Sequence, residues 1–416
     1  MDKLYQILTN FPEIEDNEKS ERAYPTGKTR FQKIKISEHT IPVFINEYWT
    51  SRQRQASPLH EIAYRACFKP QLPRFFIQLL TKPGEVVYDP FSGRGTTILE
   101  AALLGRNVIA NDVNPLSQIL TKPRLFIPTL EEVAERLQTI PMDKSLRAEL
   151  DLSMFYHPLT EAEIVSLRQY LRTRKAQGKE DHIDRWIRMI ATNRLTGHSP
   201  GFFSVYTLPP NQAVSPERQK IINARRQQIP EYRDTRALIL RKTRRMTNRV
   251  SMEERRRLAE VGQKALFLTE DARFTDAIQS ASVQLTVTSP PFLNVVQYAD
   301  DNWLRCWFNS IDVKQVEATI TTTSTLSRWC EVMEGVFKEL FRITKQGGWV
   351  AFEVGEVKKG KIRLEESVIP LGISAGFQCF GVMINLQKFT KTANIWGITN
   401  NLKGTNTNRI VLFYKP

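Results

Sequence analysis

Apolar positions in this chain gather into short runs in the two flanks, while the middle shows longer, polar-rich stretches with helical spacing. EVVYD (85–89) is a short apolar run ending in an acid, and NVIAND (107–112) is another. Between them lie a glycine-bearing turn and the helical stretch TTILEAALLG. Runs of this length bounded by turn residues predict buried strands, so the segment opens as strand, helix, strand. Five further strand-like runs occupy 265–271, 283–291, 347–355, 377–385 and 408–415. They are separated by helix-like stretches such as MEGVFKELFRITK. Seven strands alternating with helices predict an α/β fold whose mainly parallel sheet is covered on both faces.

From Lys122 to about Gly262 the pattern turns helical and polar, punctuated by YTLPPN and QQIP, with no internal repeat. A chain of 416 residues has room for a catalytic core and a sizeable insertion. The expected division is an N-terminal part of the core (1–125), an inserted helical domain (126–264) and a C-terminal part of the core (265–416). No apolar run is long enough to cross a bilayer. The first twenty residues lack the basic-then-apolar layout of an export signal, so a cytoplasmic location is expected. Cys67, Cys306, Cys330 and Cys379 are far apart and form no metal-type spacing, so neither disulfides nor a structural metal is expected.

Charge changes the picture of the insertion. The chain carries a net +15, and residues 216–257 hold fourteen Lys or Arg against five Asp or Glu. Such a segment fits a polyanion-binding surface, because neutralising phosphates releases counterions, and it also fits a solvated helical face. Arg241, Lys242, Arg244 and Arg245 are the candidate nucleic-acid contacts.

Two motifs carry candidate chemistry. The first is Asp89-Pro90-Phe91-Ser92-Gly93-Arg94-Gly95-Thr96-Thr97, where the first strand passes into the first helix. Its glycines let a ligand approach backbone at the carboxyl edge of the sheet, where open α/β folds bind nucleotides. The spacing is not GxGxxG and no GKS/T follows, so neither a dinucleotide fingerprint nor a phosphate-binding P-loop is supported. Asp112, ending the second strand, is placed to accept hydrogen bonds from ribose hydroxyls. The second motif is Thr288-Ser289-Pro290-Pro291-Phe292. Two prolines cannot continue a central strand, so the chain leaves the sheet in a rigid turn presenting Ser289, free carbonyls and Phe292 at that same edge. A base amine attacks an electrophilic methyl only when acceptors draw its hydrogens out of the ring plane. A hydroxyl and a carbonyl can do this while an aromatic face holds a base swung out of the duplex.

DPFSGRGTT with a downstream TSPPF resembles the amino-methyltransferases of bacterial restriction-modification systems. FKPQLPRFFIQLL (68–80) is similar to the segment that closes over the methionine part of the cofactor in that family, and Glu270 and Asp271 resemble its acids near the adenine. The resemblance covers about half the chain, residues 57–125 and 265–416. It implies a Rossmann-like seven-stranded class I methyltransferase core and S-adenosylmethionine as cofactor. Phe68, Pro70, Asp89, Phe91, Ser92, Gly93, Gly95, Thr96, Asp112 and Asp271 would bind it. Ser289, Pro290, Pro291 and Phe292 would form the catalytic loop, and no metal would be needed. Serine before the prolines is similar to the cytosine-N4 group, although many of its members end the motif with Tyr where this chain has Phe292. Adenine-N6 and RNA-base methylation, or a non-catalytic binder on a methyltransferase core, are the alternatives. C5 methylation is disfavoured because no cysteine follows a proline. The resemblance also implies double-stranded DNA as substrate, target recognition in the insertion, and a partner endonuclease. The turn-rich stretch from Asn193 to Phe203 is a further candidate base-reading loop, whereas Trp303, Leu304, Trp307 and Phe308 have the spacing of a helix packed on the sheet.

Overall fold

The structure is a computed structural model describing residues 1–11, 29–49, 56–65, 67–208, 213–291, 298–319, 325–354, 356–357, 362–386 and 407–416. Its main sheet has nine strands: β1 (Arg30–Ile36), β2 (His39–Asn46), β3 (Val86–Asp89), β4 (Asn107–Asn111), β5 (Leu266–Leu268), β6 (Val283–Thr288), β7 (Thr344–Val354), β8 (Gln378–Leu386) and β9 (Thr407–Tyr414). Their spatial order is β1-β2-β8-β9-β7-β6-β3-β4-β5. From β5 to β7 neighbours run parallel, while β9 is antiparallel to both β7 and β8. Seven strands, β8 to β5, make up the mainly parallel part of the sheet. The hairpin β1–β2 extends it, β2 pairing in parallel with β8. The apolar pattern of the chain does not announce this hairpin.

Strand period decides which residues meet which layer. Val87, Trp349, Ala351, Ile410 and Leu412 join one buried cluster, and their neighbours Tyr88, Val350, Phe352, Val411 and Phe413 join the other. The helices of the flanks are α1 (Asp2–Thr9), α2 (Gln71–Leu80), α3 (Thr96–Leu103) and α4 (Leu116–Thr121). The insertion contributes α5 (Leu130–Thr139), α6 (Pro158–Ala176), α7 (His182–Arg194), α8 (Pro216–Arg226), α9 (Thr235–Thr247) and α10 (Met252–Lys264). The last four are α11 (Tyr298–Asn309), α12 (Val313–Thr319), α13 (Leu326–Ile343) and α14 (Leu364–Ser374). Capping boxes start three of the inserted helices: Thr129 with Glu132, Asp181 with Asp184, and Ser251 with Glu254.

The first cluster runs without a break from Leu72 and Val87 through Trp186, Ile239 and Leu258. The insertion therefore shares a core with the sheet's first face, and α13 and α14 cover the other face. Leu304 and Phe308 are buried, but α11 packs mainly against α12, α7, α4 and α6 rather than on the sheet as its spacing suggested.

Candidate active site

β3 ends at Asp89, and the chain must turn at once to start α3 with Thr96. Gly93 and Gly95 have φ of +50° and +71°, a region that favours glycine. Gly95 also packs so closely on Thr121 that any Cβ would overlap that side chain. Ser92 Oγ donates to the Asp89 carbonyl at 2.8 Å, and Gly95 N–H donates to the Ser92 carbonyl at 2.6 Å. The turn is tied to β4 by the Gly93 N–H, which donates to Asp112 Oδ2 at 2.8 Å, while Asn114 N–H donates to Oδ1 at 2.9 Å. Asp112 thus shapes the glycine turn, and its second lone pairs remain for a ligand.

Arg94, within the same turn, was given no role from sequence. Its buried guanidinium donates to the carbonyls of His60 (3.3 Å) and Ile62 (2.8 Å) and to Thr96 Oγ1 (3.2 Å). Arg124 donates to the Arg94 and Leu59 carbonyls, and burial pushes its pKa down to about 9. The two side chains fasten the segment before Tyr64 to the cofactor turn.

A cavity opens at the carboxyl ends of β3, β4 and β6. Among the expected cofactor residues, Phe68, Asp89, Phe91, Ser92, Gly93, Thr96, Asp112 and Asp271 line it. Pro70 and Gly95 do not. Pro70 precedes α2 as its N-cap, and Gly95 supports α3 from below. Ser289 and Pro291 line the same cavity, which brings the two motifs together across 200 residues of sequence; Phe292 lies outside the described residues. Tyr64, Cys67, Asn114 and Glu270 complete the rim, with Trp329, Met333 and Val336 from α13. These last three repeat at four- and three-residue intervals, the stripe of one helix face. Trp329 Nε1 donates to the Pro291 carbonyl at 3.0 Å and so fixes the proline turn.

Electrostatics divide the cavity into ends. Asp89 is buried and accepts from Thr288 Oγ1 (2.7 Å) and Phe91 N–H (3.2 Å). Desolvation nevertheless raises its pKa to about 7. Asp112, whose accessible surface faces the cavity, is raised to about 6 by the same cause. Asp271 is held low by Arg273, whose guanidinium lies 2.6 Å away, so its carboxylate is already paired. Glu270 is instead the acid with an open acceptor: its Oε2 is buried and has no hydrogen-bond partner among the described residues. Two carboxyls held above their usual range and one orphaned acceptor suit a ligand bearing an ammonium and several hydroxyl or amino donors.

The basic segment divides too. Arg241, Arg244 and Arg245 are exposed on α9, but Lys242 is buried, lying between Leu238 and Met246 on the inner face. Lys242 sits 3.1 Å from Glu61, and burial lowers its pKa to about 8; Arg245 is 2.6 Å from the same carboxylate. In the Asn193–Phe203 stretch, Phe202 and Phe203 are buried and Arg194 lies 3.9 Å over the Phe202 ring, so this loop is packed through its aromatics.

A sequence profile of the DNA methylase family matches residues 10–118, which contain the Asp89–Thr97 turn and Asp112. The chain is similar to DNA amino-methyltransferases of restriction-modification type. It is 42% identical over 64 residues to the Type II methyltransferase M.MvaI of Kocuria varians, covering 15% of this chain and 14% of that one. To the Type II methyltransferase M.MjaII of Methanocaldococcus jannaschii it is 30% identical over 76 residues, 18% and 14% of the two chains. The matched stretches thus span about one seventh of either relative. A solved rRNA methyltransferase, aviRa of Streptomyces viridochromogenes, aligns over 88% of this chain and 93% of its own, with 12% identity and a TM-score of 0.34. S-adenosylmethionine is the cofactor of the methylase family, and its ammonium, ribose and adenine fit the carboxyls and the open acceptor of the cavity. No helix among the described residues is long and apolar enough to cross a membrane.

Proposed function

We propose that the protein transfers a methyl group from S-adenosylmethionine to the exocyclic N4 of cytosine in double-stranded DNA, on a base flipped out of the duplex. The observation that carries this reading is the placement of Ser289 and the proline turn on the same cavity as the glycine turn and its carboxyls. When bound, the cofactor supplies an electrophilic methyl on sulfur. Asp89, Asp112 and Glu270 would hold its polar groups, with Phe68 and Phe91 against its apolar surfaces. Ser289 Oγ and the Pro290 carbonyl accept the amine's hydrogens, which frees its lone pair for attack. Trp329 keeps the turn in place, and Phe292 stacks on the base. The helical insertion reads the target, with Arg241, Arg244 and Arg245 on phosphates; Lys242 is excluded by its burial. We place the enzyme in the cytoplasm, in a restriction-modification or defence setting with a cognate endonuclease. Incubation of duplex DNA with methyl-labelled cofactor, followed by nucleoside mass analysis, tests the reading. N4-methylcytosine supports it, N6-methyladenine transfers it to the other amine, and no labelled nucleoside overturns it.

A further inference from the structure

Next to the proline turn, β7 carries a carboxyl that neither motif includes. Glu353 sits one residue beyond Phe352, which is registered with Thr288 on β6, so it lies beside Ser289; on its other side it is registered with Ile410 of β9. It is buried in an otherwise apolar strand end, flanked by Phe352 and Val354. Asn408 Nδ2 donates to it from β9, and the Ser289 side chain is near enough on the β6 side to favour its charged form. Three elements thus meet at one carboxyl where the proposed chemistry takes place.

A purely structural acid would be expected to pair with a cation, because an isolated buried carboxylate is costly. The charged groups on the neighbouring elements are engaged elsewhere. On β9, Arg409 pairs with Glu365 at 2.6 Å, and Glu365 on α14 is itself raised by burial. On β3, Asp89 accepts from Thr288, and α13 presents Trp329, Met333 and Val336 to this region of the cavity. Among the described residues Asn408 and Ser289 favour its charged form, and burial raises the pKa of Glu353 to about 7. The group is therefore poised to exchange a proton at neutral pH.

We propose that Glu353 is the positioning residue of Ser289 and the final acceptor of the proton released by the methylated amine. This rests on the amine-methylation reading above. With Glu353 ionised, the Ser289 hydroxyl donates to it and turns its lone pairs toward the amine. The amine nitrogen forms a bond to the methyl carbon as the carbon–sulfur bond breaks, its electron pair going to sulfur. The nitrogen, now carrying a positive charge, gives one proton to Ser289 Oγ, and the serine's own proton passes to Glu353. The products are a neutral N-methylamine, a thioether, an intact serine and a protonated carboxyl that returns its proton to solvent.

Single-turnover methyl transfer as a function of pH is the catalytic test. In the wild type the rate should rise with pH through a midpoint near 7. Glu353→Gln should lower the rate about a hundredfold and remove that limb while leaving cofactor affinity within twofold. Glu353→Asp should recover part of the rate, and Asn408→Ala, which removes a donor from the carboxylate, should move the limb to higher pH. A Glu353→Gln rate within twofold of wild type, or an unchanged limb, overturns the proposal while leaving the methylation reading intact. A direct titration covers the case in which no DNA tried is a substrate. The infrared carboxyl band that is present in wild type and lost in Glu353→Gln should titrate near pH 7, and a midpoint below about 5 overturns the proposal whatever the activity. Should Glu353→Gln fail to fold, the Asn408→Ala limb and band shift decide, and no shift in either overturns it.

Discussion

Asp89 should make cofactor binding sensitive to pH, and the size of the effect follows from its surroundings. The carboxyl is buried at the end of β3 with a pKa of about 7, raised mainly by desolvation despite the hydrogen bonds from Thr288 and Phe91. If its ionised form receives the cofactor's ammonium, only the ionised fraction of the protein is competent. That fraction is about 0.9 at pH 8 and about 0.1 at pH 6, and the apparent dissociation constant scales with its inverse. Affinity should therefore fall about tenfold, or about 1.4 kcal/mol, between pH 8 and pH 6. Asp112, with a pKa of about 6, adds at most a factor of about two at the lower end. The linked stability has the opposite sense. A carboxyl whose folded pKa lies above its unfolded value stabilises the apo protein most below about pH 4, and that contribution is lost as pH rises through 7. Calorimetric titration of S-adenosylmethionine at pH 6, 7 and 8, with wild type and Asp89→Asn, checks the reasoning. The variant keeps the carbonyl acceptor but cannot ionise, so its weaker affinity should change by no more than the factor of about two from Asp112. A wild-type affinity that does not change with pH, or a variant with the same slope, refutes it.

Ser289→Ala should reduce the single-turnover rate by at least about tenfold while changing the cofactor dissociation constant less than twofold, measured by rapid quench and by calorimetry. Reversing Arg241, Arg244 and Arg245 to Glu should weaken binding to every duplex sequence. It should also flatten the logarithmic salt dependence by about 0.9 for each phosphate no longer neutralised, read by fluorescence anisotropy from 50 to 200 mM salt. Unchanged affinity and slope would make these arginines a solvated helical face, and a weakening confined to one sequence would make them readers of base edges.

The sheet was legible because its strands are buried: VVYD is a short apolar run, VQLTVT is buried along almost its whole length, and all seven core strands fall within a few residues of the expected ranges. The hairpin β1–β2 was not, for a physical reason. At the sheet edge β1 exposes Arg30, Lys33 and Lys35, and the short apolar run of β2, Ile41 to Ile45, carries Pro42, a residue disfavoured inside strands. Lys242 was misplaced by counting charge without phase. It stands four residues from both Leu238 and Met246, which sets it on the inner face of α9. In the site, the glycine turn and the proline turn were legible since each breaks a strand pattern with residues that only a special backbone needs. Glu353 and Trp329 were hidden inside a strand and a helix whose spacing explains them as core. Only the sheet register and the indole-to-carbonyl hydrogen bond show what they touch.

The central claim is that a base amine is methylated at the cavity joining Asp89 to Ser289. Its most direct test is mass analysis of nucleosides from duplex DNA incubated with methyl-labelled S-adenosylmethionine and wild type or Ser289→Ala. The account predicts labelled N4-methylcytosine with the wild type and at least about tenfold less with the variant. Label on carbon 5 of cytosine, no label in any base, or equal label from both proteins would contradict it.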